Sequence, residues 1–463
     1  MSSILHKILI SNDMKTRLEY PICYNIGMQK NKQTTFTSIV NIAESAIPTY
    51  RQSIFRLVII SLITGYGTKC MASIVRSVSF LSEFSAKSNK STQKRFYSFL
   101  QSEKIRWDYV WKALINKFHD TFLYNGKLIL SLDDSTNPKT GKKISHCDTH
   151  FDHATKMNQS KYVWGHCRVV IGAQVKIFGR WVLLPLAFAH YKPKSKEADN
   201  TKIRIACDLI ERIRSWFPEQ EILIVCDSWF GNKSLVDQLN KRNIKVQILS
   251  RLRKSSRLHK PTIKKQPPGK RGRKPKYGNR LPSLKRIAKA LRKRKAKVFV
   301  YGKERTITYQ EFNCLSHAMK CKIKVVLIRR NNGSIYPIFT TDLEMDAVEM
   351  IHLYAGRWKI ESAFKELKHE LGALDNQARK PSSVQNHFEM TMLAMTLAWI
   401  HCSKQSKAPD RRHPTSRSTS FAFSDVREQI RNEYQQRNLK GICSESIKAA
   451  KIFIYNQFTA LAA

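Results

Sequence analysis

The sequence predicts an α/β fold built on a mixed sheet, preceded by a helical N-terminal region. From residue 127 onward, a short apolar run and two segments rich in aromatic and β-branched residues are followed by alternating helix-like and strand-like segments. Before about residue 120, apolar residues recur at helical spacing instead. Lys and Arg number 82 against 35 Asp and Glu, a formal net charge of +47. We therefore expect a folded, basic chain of two or three domains.

The predicted N-terminal helices have a pattern that occurs in DNA-binding domains. Helical spacing of apolar residues runs from Ile54 to Leu62 and from Ile74 to Leu81, and a further short helix contains Phe96. A polar stretch at 85–91 separates the last two. Short helices around a polar turn are typical of a helix-turn-helix, although many helical bundles share the pattern. The positive charge favours DNA binding for residues 1–120.

The predicted sheet begins with the segment KLILSLDD at Lys127, and two further strands begin at Tyr162 and Arg180. A helix fits Lys202 to Trp216, and the buried-strand run ILIVCD follows it. A helix at 234–241 and the strand VQILSRL come next. Three strands followed by alternating helix and strand indicate a mixed sheet over residues 121–250.

A strongly basic segment, residues 251–297, interrupts this pattern with 21 Lys or Arg and no Asp or Glu. Its Pro/Gly-rich centre, PPGKRGRKPKYGNR, is not expected to pack, and RGRKP is similar to short hooks that enter A·T-rich minor grooves. It is either a solvated linker or a DNA contact through Arg271, Arg273 and Lys274. Strand patterning returns over 298–341, so residues 251–342 are interpreted as a basic linker and a β-rich insertion.

Composition also narrows the cellular context. The ten cysteines include no C-x-x-C pair, as expected for reduced thiols in a cytoplasmic protein. The most apolar stretch, Ile54 to Thr64, is too short to span a bilayer, and the N-terminus lacks a signal-peptide pattern. A structural zinc site is an open alternative for one cluster, although its spacing fits no standard pattern. That cluster comprises His146, Cys147, His150, His153, His166 and Cys167.

Four polar residues share one predicted helix, Leu343 to Leu371. Tyr354, Arg357, Glu361 and Lys368 are separated by two, three and six residues. At ~100° per residue these offsets place all four within an arc of roughly 60°. Such a stripe is either a solvated face or one side of a functional site.

Two acids at strand ends favour the functional reading. Asp134 and Asp227 each follow an apolar run, and with Glu361 they would form an all-oxygen site suited to Mg²⁺ or Mn²⁺. Two such ions can promote phosphoryl transfer, with Arg357 and Lys368 holding the flanking phosphates. The adjacent Asp133 leaves the identity of the first acid open.

These residues resemble the signature of bacterial transposases of insertion-sequence family four. The spacing Y-(2)-R-(3)-E-(6)-K begins at Tyr354, and LDDST at Asp134 and IVCDSWFGN at Asp227 stand where that family keeps its other acids. The separations, 227 − 134 = 93 and 361 − 227 = 134, leave room for the family's β-rich insertion. The resemblance implies an RNase H-like core, a helical DNA-binding region, and cut-and-paste chemistry with hairpin formation.

The resemblance also implies partners and roles. It favours Asp134 as the first acid, two Mg²⁺ or Mn²⁺ ions, double-stranded DNA (terminal inverted repeats and target) and a homodimer on synapsed ends. Tyr336 would take the place of a Trp that holds a flipped base. The core would resume at 343–405, before a helical region at 406–463. The alternatives are an inactive DNA-binding derivative and an RNase H-like nuclease that does not join strands.

Overall fold

A computed structural model gives the fold of most of the chain. It describes residues 34–78, 89–152, 158, 160–193, 201–261, 276–300, 303–330, 332–414 and 420–443. Four positions singled out from the sequence, His153, Arg271, Arg273 and Lys274, lie outside these ranges.

In the described part of the chain, five helices precede the sheet, and three of them coincide with the helical segments predicted around Ile54–Leu62, Ile74 and Phe96. The five are α1 (Phe36–Glu44), α2 (Thr49–Thr64), α3 (Met71–Val78), α4 (Asn89–Leu100) and α5 (Trp107–Phe118). The Thr35 side chain caps α1 by accepting a hydrogen bond from the Ser38 backbone N–H. Their apolar faces bury large side chains such as Phe55, Phe96 and Trp111 in the main core. Residues 79–88 are outside the described ranges, so a helix-turn-helix there stays a prediction.

The strands of the described residues form one mixed sheet. Its first part contains β1 (Leu128–Pro138), β2 (Asp148–Phe151), β3 (Tyr162–Ile177), β4 (Arg180–Tyr191), β5 (Ile222–Cys226) and β6 (Gln247–Arg251). β3 lies antiparallel to β1, β2 and β4, whereas β1, β5 and β6 are parallel neighbours. The helices α6 (Lys202–Trp216) and α7 (Lys233–Lys241) make the crossovers that parallel neighbours require. The predicted strands and helices of residues 127–251 are thus confirmed, and the short β2 is an addition.

The second part of the sheet is antiparallel and joins the first through β11, which pairs with β6. It contains β7 (Leu258–His259), β8 (Arg294–Val300), β9 (Lys303–Ser316), β10 (Lys322–Arg329) and β11 (Ile335–Thr340), with helix α8 (Leu284–Ala290) between β7 and β8. Leu258, Leu284 and Ile287 are buried in a separate small core. The two ends of the basic segment are therefore folded, because they supply apolar side chains to that core.

After β11, the residues that the structure describes form four helices: α9 (Ala347–Gly356), α10 (Lys359–His369), α11 (Pro381–Ser403) and α12 (Phe423–Cys443). Nearly all of α11 is buried, and it packs against α2 and β4. Within the ranges that the structure describes, no helix has the length and apolar character needed to cross a membrane.

The prediction of one continuous helix over 343–371 is wrong, because the helix breaks between α9 and α10. Gln174 on β3 donates its side-chain Nε2–H to the Leu353 carbonyl at 2.9 Å and so binds the end of α9. A Cβ on Gly356 would lie 2.2 Å from that same nitrogen, so only glycine fits this close approach. Past this point the Arg357 and Ile360 N–H groups bond to carbonyls three residues back.

The sheet separates two cores, and this separation decides which side chains of β1 can meet. Leu128, Leu130 and Leu132 face the core shared with α6 and α11, whereas Ile129 faces the core shared with α9. Successive side chains on a strand point to opposite faces. Asp133 and Asp134 therefore lie on opposite sides of the sheet.

Candidate active site

Two acids lie where the parallel pairing of β1 with β5 ends, although β1 itself continues to Pro138. Leu132 on β1 is in register with Cys226 on β5, so Asp133 and Asp227 each follow a paired position at the same edge. The Asp227 Oδ1 atom accepts hydrogen bonds from the backbone N–H groups of Trp229 at 2.9 Å and Phe230 at 3.0 Å. These two bonds fix the orientation of the Asp227 carboxylate.

Arg357, in the turn between α9 and α10, joins the acids. Its Nη1 donates to Asp133 Oδ2 at 3.2 Å, and its Nη2 lies 3.5 Å from Glu361 Oε1. Arg357 is only 5% exposed, whereas the Glu361 side chain is 44% exposed. Asp227 acts electrostatically on all three of these groups. The cluster of Asp133, Asp227, Glu361 and Arg357 is called the acid site below.

The electrostatics of the acid site show a shortage of positive charge. Burial raises the pKa of Asp133 to about 7; the Arg357 guanidinium opposes this, and the carboxylates of Asp227 and Asp134 reinforce it. Burial also raises the pKa of Glu361, against the effect of Arg357. Three carboxylates around one guanidinium leave a net charge of −3 + 1 = −2 when all are ionised. Such a cluster favours a further cation.

Asp134, the acid that the sequence favours, does not join this site. Its Oδ2 accepts a hydrogen bond from Lys202 Nζ at 2.8 Å and lies 3.6 Å from Cys167 Sγ. Lys202 is the first residue of α6, on the other side of the sheet from Arg357. The structure therefore brings Asp133, and not Asp134, to Asp227 and Glu361, because alternation along β1 separates the adjacent acids.

The two predicted tyrosines form a pair behind the acid site. Tyr354 is buried on α9, and its hydroxyl lies 3.4 Å from that of Tyr336 on β11. Burial and the Tyr336 hydroxyl raise the pKa of Tyr354. Arg251 and Arg330 lie over the Tyr336 ring, 4.8 and 4.7 Å from its centroid. Stacking of a base on Tyr336 stays a prediction, and it would compete with these guanidinium groups.

Lys368 lies apart from the acids. It follows Glu361 by seven residues on α10, about 10 Å along the helix axis at ~1.5 Å per residue. Burial lowers its pKa, Arg168 lowers it further, and Asp152 raises it. Lys368 therefore belongs to the electrostatic environment of Arg168.

Three residues near the site escape sequence reasoning. Lys202 pairs with Asp134 and lies over the ring of Trp229, 5.7 Å from its centroid. Trp229 and Trp358 are exposed, and each stands close in sequence to a site residue. Trp229 follows Asp227 by two residues and Trp358 directly follows Arg357, so the sequence alone could have pointed to both tryptophans. The ion pair between Lys202 and Asp134 could not be predicted from the sequence, because the two residues are 68 positions apart.

The side chains of the acid site have the donor atoms that a divalent cation requires. Asp133, Asp227 and Glu361 offer only oxygen donors, the type that Mg²⁺ and Mn²⁺ prefer. In the described part of the chain, no group of three His, Cys, Asp or Glu residues has the arrangement of a formed metal site. The guanidinium of Arg357 instead contacts two of the three carboxylates.

The histidines considered for zinc make other contacts where the structure describes them. His150 Nε2 is 3.1 Å from the Gly165 carbonyl oxygen, and His166 Nε2 is 2.8 Å from that of Ser145. His146 stacks on His190, with ring centroids 4.4 Å apart. These contacts account for the clustering of imidazoles without a shared ion.

Comparisons with known proteins identify a domain over part of the chain. Residues 183–397 match the family described as Transposase DDE domain, a range that contains Asp227, Arg357, Glu361 and Lys368. No curated protein matches the chain. A cryo-EM structure of a piggyBac transposase synaptic complex with hairpin DNA is similar over 94% of this chain and 79% of that chain, at 12% identity and a TM-score of 0.40. The family match supports a DDE transposase.

Proposed function

We propose that this chain is a DNA transposase that moves an insertion sequence of the family-four type, cleaving DNA at the element ends and joining it to a target. The observation that carries the proposal is that Arg357 contacts both Asp133 and Glu361, while Asp227 directly follows the strand next to β1. Carboxylates from two neighbouring strands or their ends and from one helix, in a chain of net charge +47, suit metal-dependent chemistry on a polyanion.

The topology supports an RNase H-like core. Strands β4, β3 and β1 are antiparallel neighbours, and β1 is followed by the parallel β5 and β6 through α6 and α7. The antiparallel strands β7 to β11 stand between Asp227 and Glu361 in sequence, where a β-rich insertion is expected. The division at residues 120, 250, 342 and 405 is part of this proposal.

Asp133, Asp227 and Glu361 would hold two Mg²⁺ or Mn²⁺ ions. When bound, such ions activate a water or a 3′-hydroxyl and stabilise the leaving oxygen in phosphoryl transfer. Asp133 replaces Asp134 in the proposed set because only Asp133 faces Arg357 and Glu361.

The chain's own residues prepare this site. Arg357 holds Asp133 and Glu361 toward each other and offsets part of their repulsion. Because the pKa of Asp133 is about 7, this carboxyl is partly protonated near neutral pH and releases its proton when a cation binds. Two backbone N–H groups keep Asp227 in a fixed orientation. The acids are thus positioned before DNA arrives.

Contacts with the DNA backbone extend beyond the acid site. We assign phosphate contacts to Lys368 and to the basic segment with Arg271, Arg273 and Lys274. Arg357 and Tyr354 are too buried to reach a phosphate as they stand, so any contact they make with DNA requires the turn after Gly356 to move. A homodimer on synapsed ends and a cytoplasmic location complete the proposal.

The deciding experiment incubates the purified chain with DNA from the end of its element and Mg²⁺, and resolves the products on a denaturing gel. Nicks, hairpins and joined products together are expected for the proposed transposase. Nicks without joined products would indicate a nuclease, and binding without any metal-dependent product would indicate an inactive derivative. Asp133→Asn serves as the matched control, because it removes one charge from the acid site and keeps the side-chain size.

A further inference from the structure

A basic cleft lies between the N-terminal helices and the residue that precedes α11, and no residue of the acid site lines it. Helices α2 and α4, the residues just after α4, and the start of α11 enclose a volume of about 590 Å³. Four of the lining residues are cationic and one is acidic: Arg51, Lys94, Lys104 and Lys380 against Glu103. The net charge of the lining is thus 4 − 1 = +3. This group of residues is called the helical cleft below.

The cations of the helical cleft have no anionic partner in the part of the chain that the structure describes. Arg51 carries a buried Nη1 that has no hydrogen-bond partner there. Lys94 and Lys104 are exposed and make no ion pair with a described residue, and Lys380 Nζ donates only to the Gln101 side chain, at 3.0 Å. A buried donor without a partner is costly, and an anion in the cleft would satisfy it. The cleft therefore has the charge and the unsatisfied donors of an anion site.

The surroundings of the cleft favour a nucleic acid over a free ion. Tyr97 lines the cleft and is exposed, and Tyr50, next to Arg51, is 66% exposed. The Arg51 guanidinium lies 5.1 Å from the Tyr50 ring centroid, and Arg106 lies 5.8 Å from that of Tyr109 on α5. Exposed aromatic rings interleaved with cations are typical of surfaces that contact nucleic acids.

We propose that the helical cleft binds a backbone phosphate of duplex DNA. Arg51 and Lys94 come from the N-terminal helices, and Lys380 from the start of α11, which follows the Glu361 helix in sequence. One phosphate in the cleft would thus bridge the helical region and the catalytic part of the chain. The inference rests on the proposed function only in taking DNA as the ligand, because no cleft residue belongs to the acid site.

The test measures binding of the full chain to a labelled 30-base-pair duplex by fluorescence anisotropy in EDTA, across a series of salt concentrations. Lys94→Ala combined with Lys104→Ala should lower the slope of log K against log salt by about 1, since each neutralised phosphate contributes ~0.9. The same relation gives roughly 8-fold weaker binding at 0.1 M salt and equal binding near 1 M. Glu103→Gln should act in the opposite direction and strengthen binding.

A matched control removes the same charge elsewhere. Lys241→Ala combined with Lys245→Ala takes two exposed lysines from outside the cleft and should change the slope little. Equal thermal midpoints for the two double variants establish that both are folded. If the Lys94/Lys104 variant binds like this control, the helical cleft is not a DNA site. A duplex RNA of the same length whose binding depends on the cleft more strongly than that of DNA would also overturn the proposal.

This experiment is independent of the proposed catalysis because EDTA removes the metal. If Asp133→Asn abolishes nicking but keeps the wild-type slope of log K against log salt, the result supports the acid site. It does not bear on the cleft, which the Lys94/Lys104 variant tests. If binding depends on the cleft but the wild-type chain does not nick DNA, the transposase proposal is wrong and the proposal of a phosphate site in the cleft still holds.

Discussion

Exchange of the two adjacent acids on β1 tests how the sheet selects the catalytic residue. Asp133→Asn is expected to reduce metal-dependent nicking at least 10³-fold, about 4 kcal/mol of activation free energy, because it removes a proposed metal ligand. Asp134→Asn removes a partly exposed ion pair with Lys202, an interaction of ~0.2–1 kcal/mol. Nicking by Asp134→Asn should stay within about tenfold of the wild-type rate.

The pH dependence of the free energy of unfolding, measured without metal, should also distinguish Asp133→Asn from Asp134→Asn. The pKa of Asp133 is about 7 in the folded chain and 3.8 without its surroundings, a difference worth roughly 4 kcal/mol at most. The folded state binds more protons between these values, so its stability falls as pH rises from about 4 to about 7. Asp133→Asn removes this carboxyl and should flatten that decline. Asp134→Asn should not flatten it, since Asp133 remains.

The assay combines nicking of element-end DNA in Mg²⁺ with thermal unfolding in EDTA at pH 5 and pH 8. The expected result for Asp133→Asn is loss of nicking together with a smaller fall of the unfolding midpoint between the two pH values. If Asp134→Asn abolishes nicking while Asp133→Asn retains it, the assignment from the faces of β1 is wrong. An unchanged pH dependence in Asp133→Asn would show that its burial does not govern stability.

Three further predictions concern the supports of the site. Arg357→Ala should lower the free energy of unfolding in EDTA by ~3 kcal/mol or more if the acids stay buried, and Mg²⁺ should restore part of the loss; no response to Mg²⁺ would argue against a cation site there. Gly356→Ala should destabilise the chain by about 1–3 kcal/mol in urea unfolding and reduce nicking, because its methyl would collide with Gln174; wild-type behaviour would show that the turn adapts freely. Replacement of four basic residues by Ala should make log K for DNA less steep against log salt, whereas an unchanged slope would identify a free linker. Those four are Lys270, Arg271, Arg273 and Lys274.

Much of the local structure follows from the sequence alone. The leucine-rich run before Asp133 and the run ending at Cys226 have no polar residue that disfavours a buried strand, apart from one serine, and both form strands. The apolar periodicity of Lys202–Trp216 likewise determines a helix of those bounds. The spacing of Tyr354, Arg357, Glu361 and Lys368 can also be taken from the sequence alone, and the function that we propose for this segment stays a prediction.

The tertiary structure decides where those residues point. Asp133 and Asp134 are chemically identical, and only the packing of β1 between two cores shows that Asp133 faces Arg357. The break at Gly356 depends on Gln174, which stands 182 residues earlier and bonds to the end of α9. No local propensity encodes such a contact. The break between α9 and α10 leaves Tyr354 in the core, Glu361 at the surface and Arg357 between Asp133 and Glu361. Backbone groups at a helix end have no partner within the helix, so the tertiary structure has to supply one.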